Sequence, residues 1–270
     1  MPTTTPTSTP LTPYSDANRA DYKEDPVQLQ EHVQGTYFSL RYGIAALGFA
    51  LPILLIVIGR ILGGVGLQSS MSAYYYAGNG AARNEFVGVL ITVGAFLYLY
   101  KGFSRQEEIA LDIAGLLAAG IALFPMQWNC GDSCSAISAH GVFAVLFFLS
   151  IAYVCLARAM DTLPLLKDVY PDDPKRAEER IAFYKRRYKF LGWAMVVSPI
   201  AALIGNWTLQ QSAAVFFIEM FAVWVFAAYW YCKSKELKET DAELLAVKGN
   251  LRRIKKRNRL LPDDAEVRAR

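Results

Sequence analysis

Four ionisable side chains lie within or at the edge of long apolar stretches of this 270-residue chain: Glu85, Asp112, His140 and Glu219. A charged group at the centre of a bilayer costs about 2.5–3.5 kcal/mol on insertion scales, so each of these residues needs a polar partner or a hydrated cavity. A carboxylate beside an imidazole can exchange protons, bind an ion or orient a polar ligand. These four residues are therefore the ones in the chain best able to carry chemistry.

Three of the four are predicted to share one end of the protein. Glu85 opens the second apolar stretch, His140 lies about one turn into the fourth, and Glu219 lies about two turns into the sixth. Further polar residues expected at the same end are Ser72, Tyr76 and Asn206. We predict an outward-facing polar pocket centred on Glu219 and His140. The alternative for Glu85 and His140 is simple hydration at the membrane surface, whereas Glu219 is too deep for that.

Asp112 is predicted at the opposite end of the third apolar stretch. A partner for it there is Lys101 or Arg105. An ion pair at that position would hold two helices together, so Asp112 and Lys101 are interpreted as structural residues.

The spacing Cys130-Gly-Asp-Ser-Cys134 occurs in a connection between two apolar stretches. In an oxidising compartment a disulfide would close this short loop. The spacing is not the C-x-x-C of thiol oxidoreductases. We therefore predict a structural disulfide and no redox centre.

No metal and no cofactor are expected. Zinc sites use three or four His, Cys or carboxylate ligands, and the apolar stretches contain a single histidine. No phosphate-binding loop, Ser-His-Asp order or dinucleotide fingerprint occurs.

Six apolar stretches must position these side chains, and each is long enough to cross a bilayer of about 30 Å as a helix. They cover roughly residues 42–63, 86–102, 108–126, 136–158, 188–206 and 212–232. Continuous apolar runs do not alternate as the strands of a barrel would. The fold class is therefore predicted as all-α: a polytopic transmembrane bundle of six helices, multi-pass in the bilayer.

Charge predicts the orientation. Of the 28 Lys and Arg residues, all but Arg60 and Arg83 fall on one side of such a bundle, which by the positive-inside rule is the cytoplasm. Both termini are then cytoplasmic. Because topology explains the basic residues and acids are interleaved with them in the tail, no nucleic-acid partner is expected. The expected surroundings are the lipid bilayer.

The chain divides into an N-terminal disordered and interfacial segment (residues 1–40), a six-helix transmembrane domain (41–232) and a basic cytoplasmic tail (233–270). The tail is predicted to be partly helical and to prolong the sixth helix. Leu237, Leu244 and Leu251 follow a heptad. That pattern suits either a coiled-coil partner or, as we favour, packing against the protein's own cytoplasmic loops. The small-residue spacing Gly59-x-x-x-Gly63 is compatible with a homo-oligomer.

The chain resembles a group of uncharacterised bacterial multi-pass membrane proteins over about residues 40–235. The resemblance is carried by Ser70-Met-Ser-Ala-Tyr-Tyr-Tyr76, Phe86-Val-Gly-Val89, Tyr100-Lys-Gly102, Asp112, Leu123-Phe-Pro125, His140, Glu219, Trp224, Trp230 and Lys233. It implies the six-helix fold and the bacterial inner (plasma) membrane, without an activity. Members typically have a His after the tyrosines and an Asp before Phe-Val-Gly, where this chain has Tyr76 and Asn84-Glu85.

A fainter similarity is to the ceramidase/adiponectin-receptor superfamily of membrane zinc hydrolases. Those carry Ser-x-x-x-His and a late His-x-x-x-His, but Ser72 is followed at that spacing by Tyr76 and no late His pair exists. The leading hypothesis is therefore a non-enzymatic protein that binds or conducts a small ligand, lipid or ion in the outer pocket. The alternatives are a membrane-embedded lipid-modifying enzyme and an accessory subunit that recruits a cytoplasmic partner through its tail.

Overall fold

The computed structural model describes residues 26–127, 138–208 and 213–247, and every regular element among them is a helix. The α-helices are α1 (Pro26–Ile61), α2 (Ala81–Leu99), α3 (Arg105–Leu123), α4 (Ala139–Tyr153), α5 (Leu166–Val169), α6 (Pro174–Thr208), α7 (Ala214–Thr240) and α8 (Ala242–Val247). A short 3₁₀ helix, Ser72–Tyr75, lies in the connection between α1 and α2. A π-helical turn and a 3₁₀ segment carry the chain from α4 to α5.

The predicted all-helical fold is confirmed for the described residues, whereas the predicted number of six membrane spans is not, because five candidates are found. Five helical segments are long and apolar enough to cross a membrane: His32–Ile61, Ala81–Leu99, Ala139–Val169, Pro174–Gly205 and Ala214–Thr240. The remaining long helix, α3, has 19 residues but carries Glu107, Glu108 and Asp112 in its first half. Its charge, and not its length, sets it apart from the five.

Helix α3 is packed tightly between its neighbours. Ser104 caps its first turn by accepting a hydrogen bond from the Glu107 amide, and two acids there suit the positive end of the helix dipole. At Gly115, a β-carbon would lie 2.6 Å from the carbonyl oxygen of Gly94 in α2. The two backbones approach so closely that only glycine fits at the crossing.

The bundle has two polar ends. We call the end that contains the Ser72–Tyr75 turn, the C-terminus of α3 and the N-termini of α4 and α7 the Ser72 end. We call the other end, which contains the C-termini of α2 and α7, the Lys233 end. The first helix begins at Pro26 and therefore includes the last part of the N-terminal segment, residues 1–40, that was predicted as disordered and interfacial. Helix α7 likewise continues beyond the predicted boundary at residue 232, to Thr240.

Candidate functional site

A buried turn organises the Ser72 end. Tyr74, which is 1 % exposed, lies against Gly59 of α1, where a β-carbon would come within 2.6 Å of its ring. Its ring centroid is 6.0 Å from that of Phe216 in α7. The Ser70 hydroxyl accepts a hydrogen bond from the Ala73 amide and stabilises the start of the turn. Gly59 is therefore covered by the chain's own tyrosine.

His140 joins this turn to two helices. Its Nδ1 lies 3.2 Å from the carbonyl oxygen of Ile121 and 3.0 Å from that of Phe124, at the C-terminus of α3. Carbonyl oxygens only accept, so Nδ1 carries a proton. In the neutral ring Nε2 is then an acceptor, and the Ser72 hydroxyl 2.7 Å away donates to it.

Glu219 holds the same turn from the other side. Its Oε2 accepts a hydrogen bond from the Met71 amide at 2.6 Å, and the Ser72 amide also donates to the carboxylate. One turn earlier in α7, the Phe216 amide donates to the Ser69 carbonyl at 3.0 Å. The structure thus brings Ser72, His140 and Glu219 together, with Ser72 as the residue they share. We call these three residues the Ser72 cluster.

Two residues of the cluster, Ser72 and His140, are buried, and the third, Glu219, is partly buried. Ser72 is 9 % exposed and His140 is 8 % exposed. A hydroxyl that donates to an oriented imidazole is the arrangement of an activated nucleophile and its base. The backbone amides of Met71 and Ser72, which donate to Glu219, are also the kind of adjacent donors that can stabilise a negatively charged oxygen. Glu219 occupies them.

Glu85 stands apart from the cluster. Both of its carboxylate oxygens are buried, and neither has a hydrogen-bond partner among the residues that the structure describes. The basic side chain nearest to it in sequence, Arg83, lies over the ring of Tyr75 at 5.8 Å. Among the described residues no three His, Cys, Asp or Glu residues are grouped closely enough to hold a metal ion.

The other predicted site residues have varied positions. Tyr76 is 42 % exposed and donates a hydrogen bond to the Met126 carbonyl at the Ser72 end. Asn206 lies in α6, with its side chain outside the described part of the structure. The Lys101 ammonium pairs with Glu108 at 2.5 Å, and Asp112 contributes a more distant attraction.

The predicted disulfide cysteines, Cys130 and Cys134, lie outside the described residues. Within the described part of the chain, Cys155 and Cys232 are both buried free thiols. The disulfide therefore stays a prediction.

The Lys233 end contains buried charges that the sequence analysis did not identify as a site. Lys233, 2 % exposed, donates to the Ala159 carbonyl at 2.8 Å, to the Thr162 hydroxyl at 2.6 Å and to Glu236 at 2.5 Å. Glu236 also accepts hydrogen bonds from Thr162 and Tyr188. The sequence did contain a signal for this ion pair: Lys233 and Glu236 are three residues apart, so they share one helix face, and they follow immediately after an apolar run.

A second buried ion pair lies at the same end. Arg41 of α1 is fully buried, pairs with Glu243 of α8, and donates to the Tyr100 hydroxyl at 3.0 Å. Burial raises the pKa of Tyr100 to about 12, and the positive charge of Arg41 offsets part of that shift. The pair draws α8 back onto the bundle, so residues 242–247 pack against the protein itself.

Comparisons with known proteins give no relative. No family model, no curated protein and no solved structure matches this chain.

Proposed function

We propose that the protein is a six-span membrane protein of the bacterial inner membrane that binds a small cation at its Ser72 end. The observation that indicates a cation is that neither carboxylate at that end, Glu85 or Glu219, forms an ion pair with a basic side chain of the described residues. Within the described part of the chain, Glu85 buries both carboxylate oxygens without a hydrogen-bond partner, and Glu219 accepts hydrogen bonds from backbone amides. A buried carboxylate is costly unless it is protonated or paired with a cation.

Helix α3 supports the six-span topology. Its neighbour α2 ends at the Lys233 end, where Tyr100 contacts Arg41, whereas α4 begins at the Ser72 end, where His140 contacts Ser72. Helix α3 has to run between the two ends to connect α2 with α4. The acidic residues in its first half then lie toward the Lys233 end, where the basic residues are concentrated. The distribution of Lys and Arg supports a cytoplasmic Lys233 end.

Ion-dependent thermal unfolding tests the cation proposal. Purified protein is heated at constant ionic strength in chloride salts of Na⁺, K⁺ or the bulky cation N-methylglucamine. A bound cation raises the unfolding temperature with its concentration. We expect Na⁺ or K⁺ to stabilise the wild type over N-methylglucamine and Glu85→Gln to lose that difference. Glu178→Gln, an exposed carboxylate at the start of α6, is the matched control. An equal response of wild type and Glu85→Gln refutes the proposal.

A hydrolase is the second candidate, favoured by the 2.7 Å contact between Ser72 Oγ and His140 Nε2. In that reaction Ser72 Oγ attacks an ester carbonyl, its proton passes to Nε2, and the alcohol leaves with that proton; water then releases the acyl group as an acid. This candidate ranks second because Ser72 and His140 are buried and Glu219 occupies the amides that an oxyanion would need. Covalent labelling by a fluorophosphonate probe that is lost in Ser72→Ala and His140→Gln would support it.

A further inference from the structure

An apolar groove on the outer surface of the bundle lies between α6 and α7, away from the Ser72 cluster. Its volume is about 770 Å³, within the range of sites that hold small molecules. Its walls include Trp193, Val197 and Ala201 of α6 and Phe217 and Phe221 of α7. All five are apolar, and all but Ala201 have side chains larger than a methyl group, so the groove presents an apolar surface.

One basic residue marks the end of the groove. Lys189 lines it, is exposed, and forms no ion pair with the described residues. It is also the last charged residue of α6, because positions 190–208 contain no Asp, Glu, Lys or Arg. Lys189 therefore lies where the polar half of α6 meets its apolar half, which is the level of lipid headgroups.

The length of the groove matches one leaflet. Twelve residues separate Lys189 from Ala201, which is about 18 Å along a helix. Half of a hydrocarbon core of about 30 Å is about 15 Å. An acyl chain that starts at the level of Lys189 and follows the groove would reach the middle of the membrane.

We infer that this groove is a binding site for an anionic phospholipid of the leaflet at the Lys233 end. The phosphate pairs with the Lys189 ammonium, and one acyl chain lies against Trp193 and Val197 of α6 and Phe221 of α7. Lipid binding at this groove requires the membrane location of the helices and is independent of the cation proposed for the Ser72 end. The neighbouring basic side chains of α6 add to the attraction: Lys185, Arg186 and Arg187 are all exposed.

Native mass spectrometry of the detergent-purified protein tests this inference. Protein is mixed with equal amounts of dioleoyl phosphatidylglycerol and dioleoyl phosphatidylcholine, and the retained lipid is counted. We expect preferential retention of phosphatidylglycerol and, in Lys189→Ala, a loss of about fivefold in that preference, as for one basic group at headgroup level. Lys167→Ala, an exposed lysine of α5 outside the groove, is the matched control.

A second variant tests the groove itself. Ala201→Trp places an indole where the acyl chain would lie, so it should reduce retention of both lipids while the unfolding temperature is maintained. Equal retention of the two lipids by the wild type, or a preference unchanged in Lys189→Ala, overturns the inference. Retention unchanged in a folded Ala201→Trp overturns it as well.

Discussion

Glu219 Oε2 lies 2.6 Å from the backbone nitrogen of Met71, a residue 148 positions earlier in the chain. The contact fastens the connection between α1 and α2 to α7. The same connection is held by His140 through the hydroxyl of Ser72, so three separate parts of the chain converge on one short turn. Replacing any of the three changes the turn as well as the site.

Removing the Glu219 acceptor should loosen the turn. We expect Glu219→Leu to lower stability by about 1–3 kcal/mol, because two amides are left without a partner in a partly buried site. Glu219→Gln keeps an acceptor oxygen and should retain most of the stability. Hydrogen exchange of residues 69–73, measured by mass spectrometry, should accelerate in the leucine variant alone. Equal protection in the two variants would show that the carboxylate does not hold the turn.

Breaking the Lys233–Glu236 pair should be severe. Lys233→Met leaves the Glu236 carboxylate buried without its charge partner, which typically costs about 3–5 kcal/mol. The double variant Lys233→Met/Glu236→Gln removes the unpaired charge and should recover part of that loss. The readout is the unfolding temperature in one detergent, with the exposed Lys238→Met as the control. A double variant less stable than Lys233→Met would contradict the explanation.

The Arg41–Glu243 pair should determine whether α8 stays docked. In Glu243→Gln the attraction to the buried guanidinium is lost, so we expect faster hydrogen exchange in residues 242–247 and a lower unfolding temperature. Glu178→Gln provides a comparison at an exposed site. If α8 remains as protected in Glu243→Gln as in the wild type, then the packing of Leu237 and Ala242 suffices to hold it.

The contact between α2 and α3 should tolerate no side chain. Gly115→Ala places a methyl group 2.6 Å from the Gly94 carbonyl oxygen, and overpacking of this kind typically costs about 1–3 kcal/mol. Gly88 also lies in α2, and no atom of the described residues comes within 4 Å of a β-carbon built there. Gly88→Ala should therefore leave the unfolding temperature unchanged or raise it. The two thermal unfolding curves, taken side by side, decide the prediction, and equal effects would refute it.

The burial of Tyr100 should make the stability of the protein depend on pH in the alkaline range. Its folded pKa of about 12 lies above the ordinary value of 10, so its stabilising contribution is complete below pH 10 and is lost as the pH rises toward 12. We expect the unfolding temperature of the wild type to fall more steeply over that range than that of Tyr100→Phe, which keeps the ring. Parallel curves for the two proteins would show that Tyr100 does not contribute.

The helical architecture was readable from the sequence because continuous apolar length is a local property of the chain. The sequence also predicted that Ser72, His140 and Glu219 lie at the same end of the bundle. Successive membrane helices alternate in direction, so the end at which each connection lies follows from the order of the helices. Their individual contacts were not, because these depend on the rotation of each helix about its axis. That rotation decides that His140 contacts Ser72 and that Glu219 binds backbone amides.

The buried charges of the Lys233 end, in contrast, could not be predicted from the sequence. Arg41 and Lys233 lie next to apolar runs, where the sequence suits a hydrated residue at the membrane surface. Tertiary packing instead places both side chains inside the bundle, with Glu243 and Glu236 as their partners. Only the tertiary structure decides whether these charges are buried. A buried charge is tolerated when a distant segment supplies its counter-charge, and the local sequence does not indicate which segment that is.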